Sequence, residues 1–157
     1  MIVAGTGHRP NKIGGFTTES FFNLVDVAER WLSENNPDKI ISGMALGWDM
    51  ALAQACINSK TPFVAAIPFK GQESKWSFSQ KELYKSILKF AEEVVYVSKE
   101  GYTAQKMQKR NEWMVDRADV ILAMWDGTMG GTYNCIRYAE SKNKKIINLY
   151  EVYRNKQ

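Results

Sequence analysis

The chain has 157 residues, 45% of them hydrophobic and 24% charged, with a formal net charge of +4. That size and apolar content suit one domain with its own core and leave no room for two. No apolar run reaches the ~20 residues of a membrane helix, and MIVAGTGHRP at the start lacks a basic leader followed by an apolar core, so the expectation is a cytoplasmic protein without membrane contact.

Ile2, Val3 and Ala4 open a first strand, and GTGHRP follows as a loop. Thr17 and Thr18, with Glu19 and Ser20, provide an N-cap; Phe21, Phe22, Leu24, Val25, Ala28, Trp31 and Leu32 then recur at helical spacing up to the Asn35-Asn36-Pro37 stop. Lys39 to Ile41 form a second strand, which SGMALGWD carries into a helix from Trp48 to Asn58. Phe63 to Ile67 form a third, closed by Pro68. The polar loop PFKGQESKW precedes a helix from about Ser79 to Phe90. Val94 to Val97 make the fourth strand, and a mobile SKEGYTA segment leads into a helix over Ala104 to Arg117. Val120 to Met124 are a short apolar run, the pattern of a strand covered on both faces. DGTMGG then turns the chain into a helix from Thr132, and Lys145 to Leu149 form the last strand.

Strand and helix alternate throughout, which predicts an α/β fold: a doubly wound parallel sheet of about six strands with helices on both faces. Residues 1–150 are read as a single domain. Residues 151–157 are read as a tail, frayed or packed against a neighbouring subunit, and a homodimer or higher homo-oligomer is expected.

In such sheets ligands sit outside the carboxyl ends of the strands, where strand order reverses. Three loops at that edge are built from small residues, and they supply the candidate site. The first contributes Gly5, Thr6, Gly7, His8 and Arg9; the second Ser42, Gly43, Met44, Ala45, Gly47 and Asp49; the third Asp126, Gly127, Gly130, Gly131, Thr132 and Asn134. Glycines let the main chain come close to a ligand, and the helix starting past the third loop aims free N–H groups and a positive dipole end at a phosphate. His8 and Arg9 stand at the mouth as phosphate or ribose contacts, His8 as a contact and not a base. Asp49 fits ribose binding or helix capping, and Asp126 fits ligand binding or turn chemistry. Arg110 is placed to pair with a phosphate, or is surface charge. Phe69, Gln72 and Trp76 form a polar-aromatic loop to stack on a base, with a core role open for Trp76.

Neither GxGxxG nor GxxxxGK[ST] is present, which sets aside dinucleotide dehydrogenases and P-loop NTPases. Cys56 and Cys135 lie far apart, and His8 is the single histidine, so no metal site is expected. Basic residues are dispersed, with small clusters at Lys106, Lys109 and Arg110 and at Lys142, Lys144 and Lys145. This favours a small anionic ligand over a continuous polynucleotide face.

GTGHRP, SGMALGWDMALAQA, IPFKGQESKW, the segment from Arg110-Asn111 to Met114-Val115-Asp116, and WDGTMGGTYN together resemble the SLOG superfamily, closest to its YpsA-like branch of bacterial and phage proteins. The resemblance covers nearly the whole chain. SGMALGWD is also similar to the SGLAxGID element of DprA, a single-stranded DNA binder, and WDGTMGGT to the phosphate loop of LOG-type phosphoribohydrolases and to nucleoside deoxyribosyltransferases. What the resemblance implies is a Rossmann-like sheet binding nucleotides or nucleotide-derived ligands such as ADP-ribose or NAD relatives. LOG-type enzymes follow their glycine loop with a glutamate that serves cleavage of an N-glycosidic bond. Counting from Thr132, that position here is Cys135, and a thiol is a poor substitute for that carboxylate. Glu140 lies beyond the helix turn that faces the loop. The expectation is therefore a sensor or sequestering protein for a nucleotide, ADP-ribose or NAD-related molecule or cyclic nucleotide signal, leaning away from catalysis and requiring no cofactor. The alternatives are an N-glycosidic-bond hydrolase of nucleoside monophosphates or NAD-like substrates and, third, a DprA-like single-stranded DNA binder.

Overall fold

Alternation of side chains along the strands sorts the core into two layers, one on each face of a central sheet. The computed structural model describes residues 1–156. Its strands are β1 (Ile2–Gly7), β2 (Lys39–Ser42), β3 (Phe63–Ile67), β4 (Glu93–Tyr96), β5 (Val120–Met124) and β6 (Lys145–Asn148). They form one six-stranded sheet in the order β4-β3-β2-β1-β5-β6. Every neighbouring pair is parallel. The helices are α1 (Thr18–Asn35), α2 (Trp48–Ser59), α3 (Phe78–Leu88), α4 (Ala104–Arg117), α5 (Gly131–Ser141) and α6 (Tyr150–Arg154). This is the Rossmann-like α/β architecture, and the order reverses between β1 and β5.

Val3, Ile40, Ala65, Ile67 and Leu122 face the layer built by α1, α2, α3 and α6. Their neighbours in sequence, Ala4, Ile41, Ala66 and Ile121, face Met114 and Val115 of α4 and Cys135 and Ala139 of α5. Helices change face where strand order reverses, as crossovers of one hand require. Trp48 and Leu52 of α2 are fully buried at the middle of the first layer, each worth about 2–3 kcal/mol of transfer free energy.

Local signals set the helix ends. Thr17 Oγ1 accepts from Ser20 N at 3.1 Å to start α1, and Asn36, left-handed at φ 45°, ends it. Ser77 and Gln80 close a reciprocal capping box on α3, and Thr103 caps α4. Such caps are worth about 1 kcal/mol each.

Two expectations need correction. GTG is not loop: β1 runs on through Gly7, pairing Gly5, Thr6 and Gly7 with Leu122, Ala123 and Met124. Nor are residues 150–154 frayed. They form α6, and Tyr153, 2% exposed, donates its hydroxyl to the Ile13 carbonyl. Leu149 and Tyr153, one helical turn apart, form an apolar pair that closes the α1 layer.

Candidate ligand-binding site

The reversal between β1 and β5 opens a cavity of about 650 Å³ at the carboxyl edge of the sheet, within the range of small-molecule sites. One wall comes from β1 and its following turn: Gly5, Thr6, Gly7, His8, Arg9, Asn11 and Lys12. A second comes from the start of α5: Gly130, Gly131, Thr132 and Asn134. Ala45 and Asp49 form the floor towards α2, and Tyr102, Ala104, Met107, Gln108, Arg110 and Asn111 supply the α4 side. A second groove of about 550 Å³ between α1, α2 and α3 is lined mainly by apolar groups, among them Phe16, Phe21, Phe22 and Leu83, and has no charged side chain in its lining.

The glycines divide into two groups by what surrounds them. A Cβ at Gly5 would lie 2.5 Å from Leu52 Cδ2, and one at Gly7 would lie 2.6 Å from Trp48 Cβ. A Cβ at Gly43 would lie 2.5 Å from Arg110 Nη1. These three let helices close onto the sheet edge, and Gly5 and Gly7 line the cavity as well. Gly127, Gly130 and Gly131 have no atom within 4 Å of that position. Gly130, at φ 148°, precedes α5 without any side-chain cap, so the first amides of that helix face the cavity with no side-chain acceptor of the protein's own.

The turn after β5 is held to the turn after β1. His8 Nε2 lies 2.6 Å from Asp126 Oδ1, which also accepts from the Thr128 hydroxyl at 2.6 Å and the Thr128 N–H at 3.0 Å. Burial opposes ionisation of Asp126, but the hydrogen bonds from Thr128 and His8 outweigh it and hold the carboxyl down at about 2. The Asp126 N–H also points to His8 Nε2 at 3.2 Å, so the imidazole tautomer decides whether Nε2 donates to the carboxylate or accepts from that amide. Lys12 Nζ donates to Thr128 Oγ1 at 2.9 Å and to the Met129 carbonyl at 3.3 Å. His8, Lys12 and Asp126 thus hold the two turns in register, and exposed Arg9 is the cation left at the rim.

Beneath the cavity is a buried pair of opposite charges. Arg110, 4% exposed, donates from Nη1 to the carbonyls of Gly43 at 2.7 Å and Ala66 at 3.1 Å. Asp49 Oδ2 accepts from Ala45 N at 3.4 Å, while its buried Oδ1 has no partner. Burial pushes the Asp49 carboxyl up to about 6, against the pull of Arg110. Arg110 is therefore not a surface charge: it lines the cavity while its Nη1 is engaged by two carbonyls of the protein. It is a strut between α4 and the ends of β2 and β3.

Several other candidates stand outside the cavity. Ser42 donates to Asp49 O at 2.8 Å and accepts from Met44 N at 3.2 Å, and Met44 is fully buried. Gly47, at φ 94°, lets the start of α2 approach the His8 carbonyl. Gln72 donates to the carbonyls of Gly43 and Met44. Trp76 packs edge-on against Tyr84 at 5.4 Å, as part of the core, and Phe69 is buried. The aromatic ring at the cavity is instead Tyr102, 69% exposed, and its segment is tied down where mobility was expected. Its signal in sequence was a tyrosine between a glycine and a helix cap. Cys135 is buried below Thr6, and burial pushes its thiol up to about 11, the opposite of an activated nucleophile. Among the described residues no helix is long and apolar enough to cross a membrane, and no cluster of His, Cys, Asp and Glu converges to hold a metal ion.

A family model described as the YspA SLOG family matches residues 3–154. The uncharacterized SPbeta prophage-derived protein YoqJ of Bacillus subtilis (strain 168) is 38% identical in an alignment 134 residues long that covers 74% of this chain and 78% of that one. Among solved structures, DNA processing protein A (DprA) from Streptococcus pneumoniae superposes with a TM-score of 0.68 at 17% identity over 93% of this chain. This chain spans 49% of the length of that protein. The molybdenum cofactor binding protein from Rippkaea orientalis superposes with a TM-score of 0.61 at 14% identity, over 94% of this chain and 74% of that one. At these identities the two structural likenesses speak for the fold.

Proposed function

The chain belongs to the YspA SLOG family, and from that premise we propose that it binds a phosphate-bearing, nucleotide-derived small molecule in the cavity between β1, β5 and α4. One observation carries this reading: the start of α5 opens on the cavity with Gly130 and Gly131 unobstructed and no side-chain cap. Positive dipole, free amides and the nearby Arg9 then act on one anionic group. Asp49 lines the floor, where its carboxylate can accept from a hydrogen-bond donor such as a sugar hydroxyl. ADP-ribose, NAD relatives and cyclic nucleotides combine these features. Binding as a sensor or sequestering protein fits better than turnover, because Cys135 offers neither a carboxylate nor a thiolate to the loop.

Isothermal titration with ADP-ribose, NAD, cyclic ADP-ribose and small cyclic nucleotides tests the reading. At least one should bind, and Gly131→Asp, which places a carboxylate at the start of α5, should abolish that binding while the fold survives. Silence across the panel, or a Gly131→Asp variant that binds like the parent, would overturn it. A salt-sensitive shift with a single-stranded oligonucleotide and none of the small ligands would favour the DNA-binding alternative. Free base released from the panel would favour the hydrolase.

A further inference from the structure

The α4 wall of the cavity contains a device that the glycine loops do not explain. Between β4 and α4 the chain runs through Lys99, Glu100 and Gly101, a polar stretch with Gly101 at φ 94° and no strand or helix of its own. Such a stretch is expected to sample many shapes. Here it is fixed by one side chain: Lys106 Nζ donates to the carbonyls of Lys99 at 3.0 Å, Glu100 at 2.9 Å and Gly101 at 2.9 Å. Three successive carbonyls converge on one ammonium, and the Lys106 amide closes the helix start by donating to Thr103 Oγ1 at 3.1 Å. The loop is therefore ordered before any ligand arrives, which removes that entropy cost from binding.

What this order displays is Tyr102. Its ring stands edge-on to Phe69, centroids 6.1 Å apart and planes at 80°. Phe69 is buried, while Tyr102 is 69% exposed and lines the cavity beside Met107. A ring held by one edge-to-face contact and otherwise exposed is what a stacking platform requires. Lys106, outside the cavity lining, acts on it only through the loop.

Resting on the reading of the cavity as a nucleotide site, we infer that Tyr102 is the platform on which the ligand's heterocyclic base stacks, and that Lys106 is the positioning residue that holds it there. The phosphate and sugar then occupy the end formed by Arg9, Asp49 and Gly131, and the base occupies the end formed by α4. Sequence composition points to Phe69 and Trp76 for this task, but both are committed to packing.

The test is calorimetric titration of the parent, Tyr102→Phe, Tyr102→Ala, Lys106→Met and Lys106→Arg with two probes, ADP-ribose and ribose 5-phosphate, which lacks the base. Thermal melts confirm that each variant is folded. Tyr102→Ala should weaken ADP-ribose about tenfold or more and leave ribose 5-phosphate unchanged, with Tyr102→Phe close to the parent. Lys106→Met should reproduce the base-dependent loss in part, and Lys106→Arg should restore it. A Tyr102→Ala protein that binds ADP-ribose like the parent, or loses both probes equally, overturns this inference while the anion site stands. A parent that binds neither probe and no other ligand of the panel overturns both.

Discussion

Arg110 Nη1 donates to the Gly43 carbonyl at 2.7 Å across 67 residues of chain, and Gly43 is glycine because a Cβ there would collide with that guanidinium. The pair ties α4 to the end of β2 beneath the cavity, with Asp49 as the countercharge. Arg110→Met should therefore cost about 3–5 kcal/mol in urea unfolding, since it leaves Asp49 buried and uncompensated. Arg110→Lys should recover only part, because an ammonium can replace Nη1 at the two carbonyls but loses the Nε–H that Arg110 donates to Asn111 Oδ1 at 3.0 Å. Asp49→Asn in the Arg110→Met background should regain some of the loss. Simple additivity of the two changes would show that they do not interact.

Asp49 and Asp126 give opposite pH dependences. A carboxyl raised in the folded state stabilises the fold when protonated. The Asp49 contribution is thus full below its ordinary value of 3.8 and is lost as pH rises through about 6. Asp126 is depressed to about 2, so its contribution is present above 3.8 and is lost as pH falls towards 2. Stability measured against pH should then show a flatter acid limb in Asp126→Asn and a flatter limb between pH 4 and about 6 in Asp49→Asn. At neutral pH Asp126→Asn should also cost about 1 kcal/mol through weakened bonds to His8 and Thr128. Parallel curves for parent and both variants would contradict the assignments.

The two groups of glycines predict two phenotypes. Gly7→Ala forces a methyl into Trp48 and should cost about 2 kcal/mol or more by overpacking. Gly131→Ala meets open space at the start of a helix and should leave stability unchanged or raise it by up to about 1 kcal/mol. Its methyl narrows the approach to the α5 amides, so ADP-ribose or another phosphate-bearing ligand should bind about tenfold more weakly. Equal losses of stability in the two variants would refute this division.

Both cysteines should be inert in the native state. Burial pushes the Cys56 thiol up to about 12 and the Cys135 thiol up to about 11, so thiolate is scarce at neutral pH and neither sulfur is accessible. Labelling with a disulfide reagent should be slow in buffer and stoichiometric for both thiols in denaturant. Rapid native labelling of Cys135 would reopen the case for a nucleophile at the loop.

Much of this architecture was legible because its signals are local. The Thr17 cap, the Asn36 stop and the alternation of apolar strands with amphipathic helices depend on residues within a few positions of each other. The roles within the site were harder to read because they are set by contacts from elsewhere in the chain. Gly7 reads as a loop glycine until Trp48 of α2 is seen against it, and β1 is longer than its apolar run because β5 supplies partners for Gly5 to Gly7. Arg110 has the spacing of a surface arginine, and only the convergence of Gly43 and Ala66 on it makes burial tolerable. Trp76 and Tyr102 are both aromatic residues in polar loops. The packing of Tyr84 against the first, and the clasp of Lys106 around the loop that carries the second, decide which of them is exposed.

The last helix belongs to the fold, and its removal should reach the site. Tyr153 donates to the Ile13 carbonyl, and Ile13 directly follows the turn Pro10–Lys12 that carries Lys12. Lys12 in turn holds Thr128 and Met129 in the loop before α5. Tyr153→Phe keeps the ring but strands a buried acceptor, at a cost of about 1–2 kcal/mol. Because the loss falls at one end of a rigid connection, the β1 and β5 turns should also loosen. Hydrogen exchange should speed up at the amides of Thr128 to Thr132 in this variant, and faster exchange confined to residues around Tyr153 would show that the tail is coupled to stability alone.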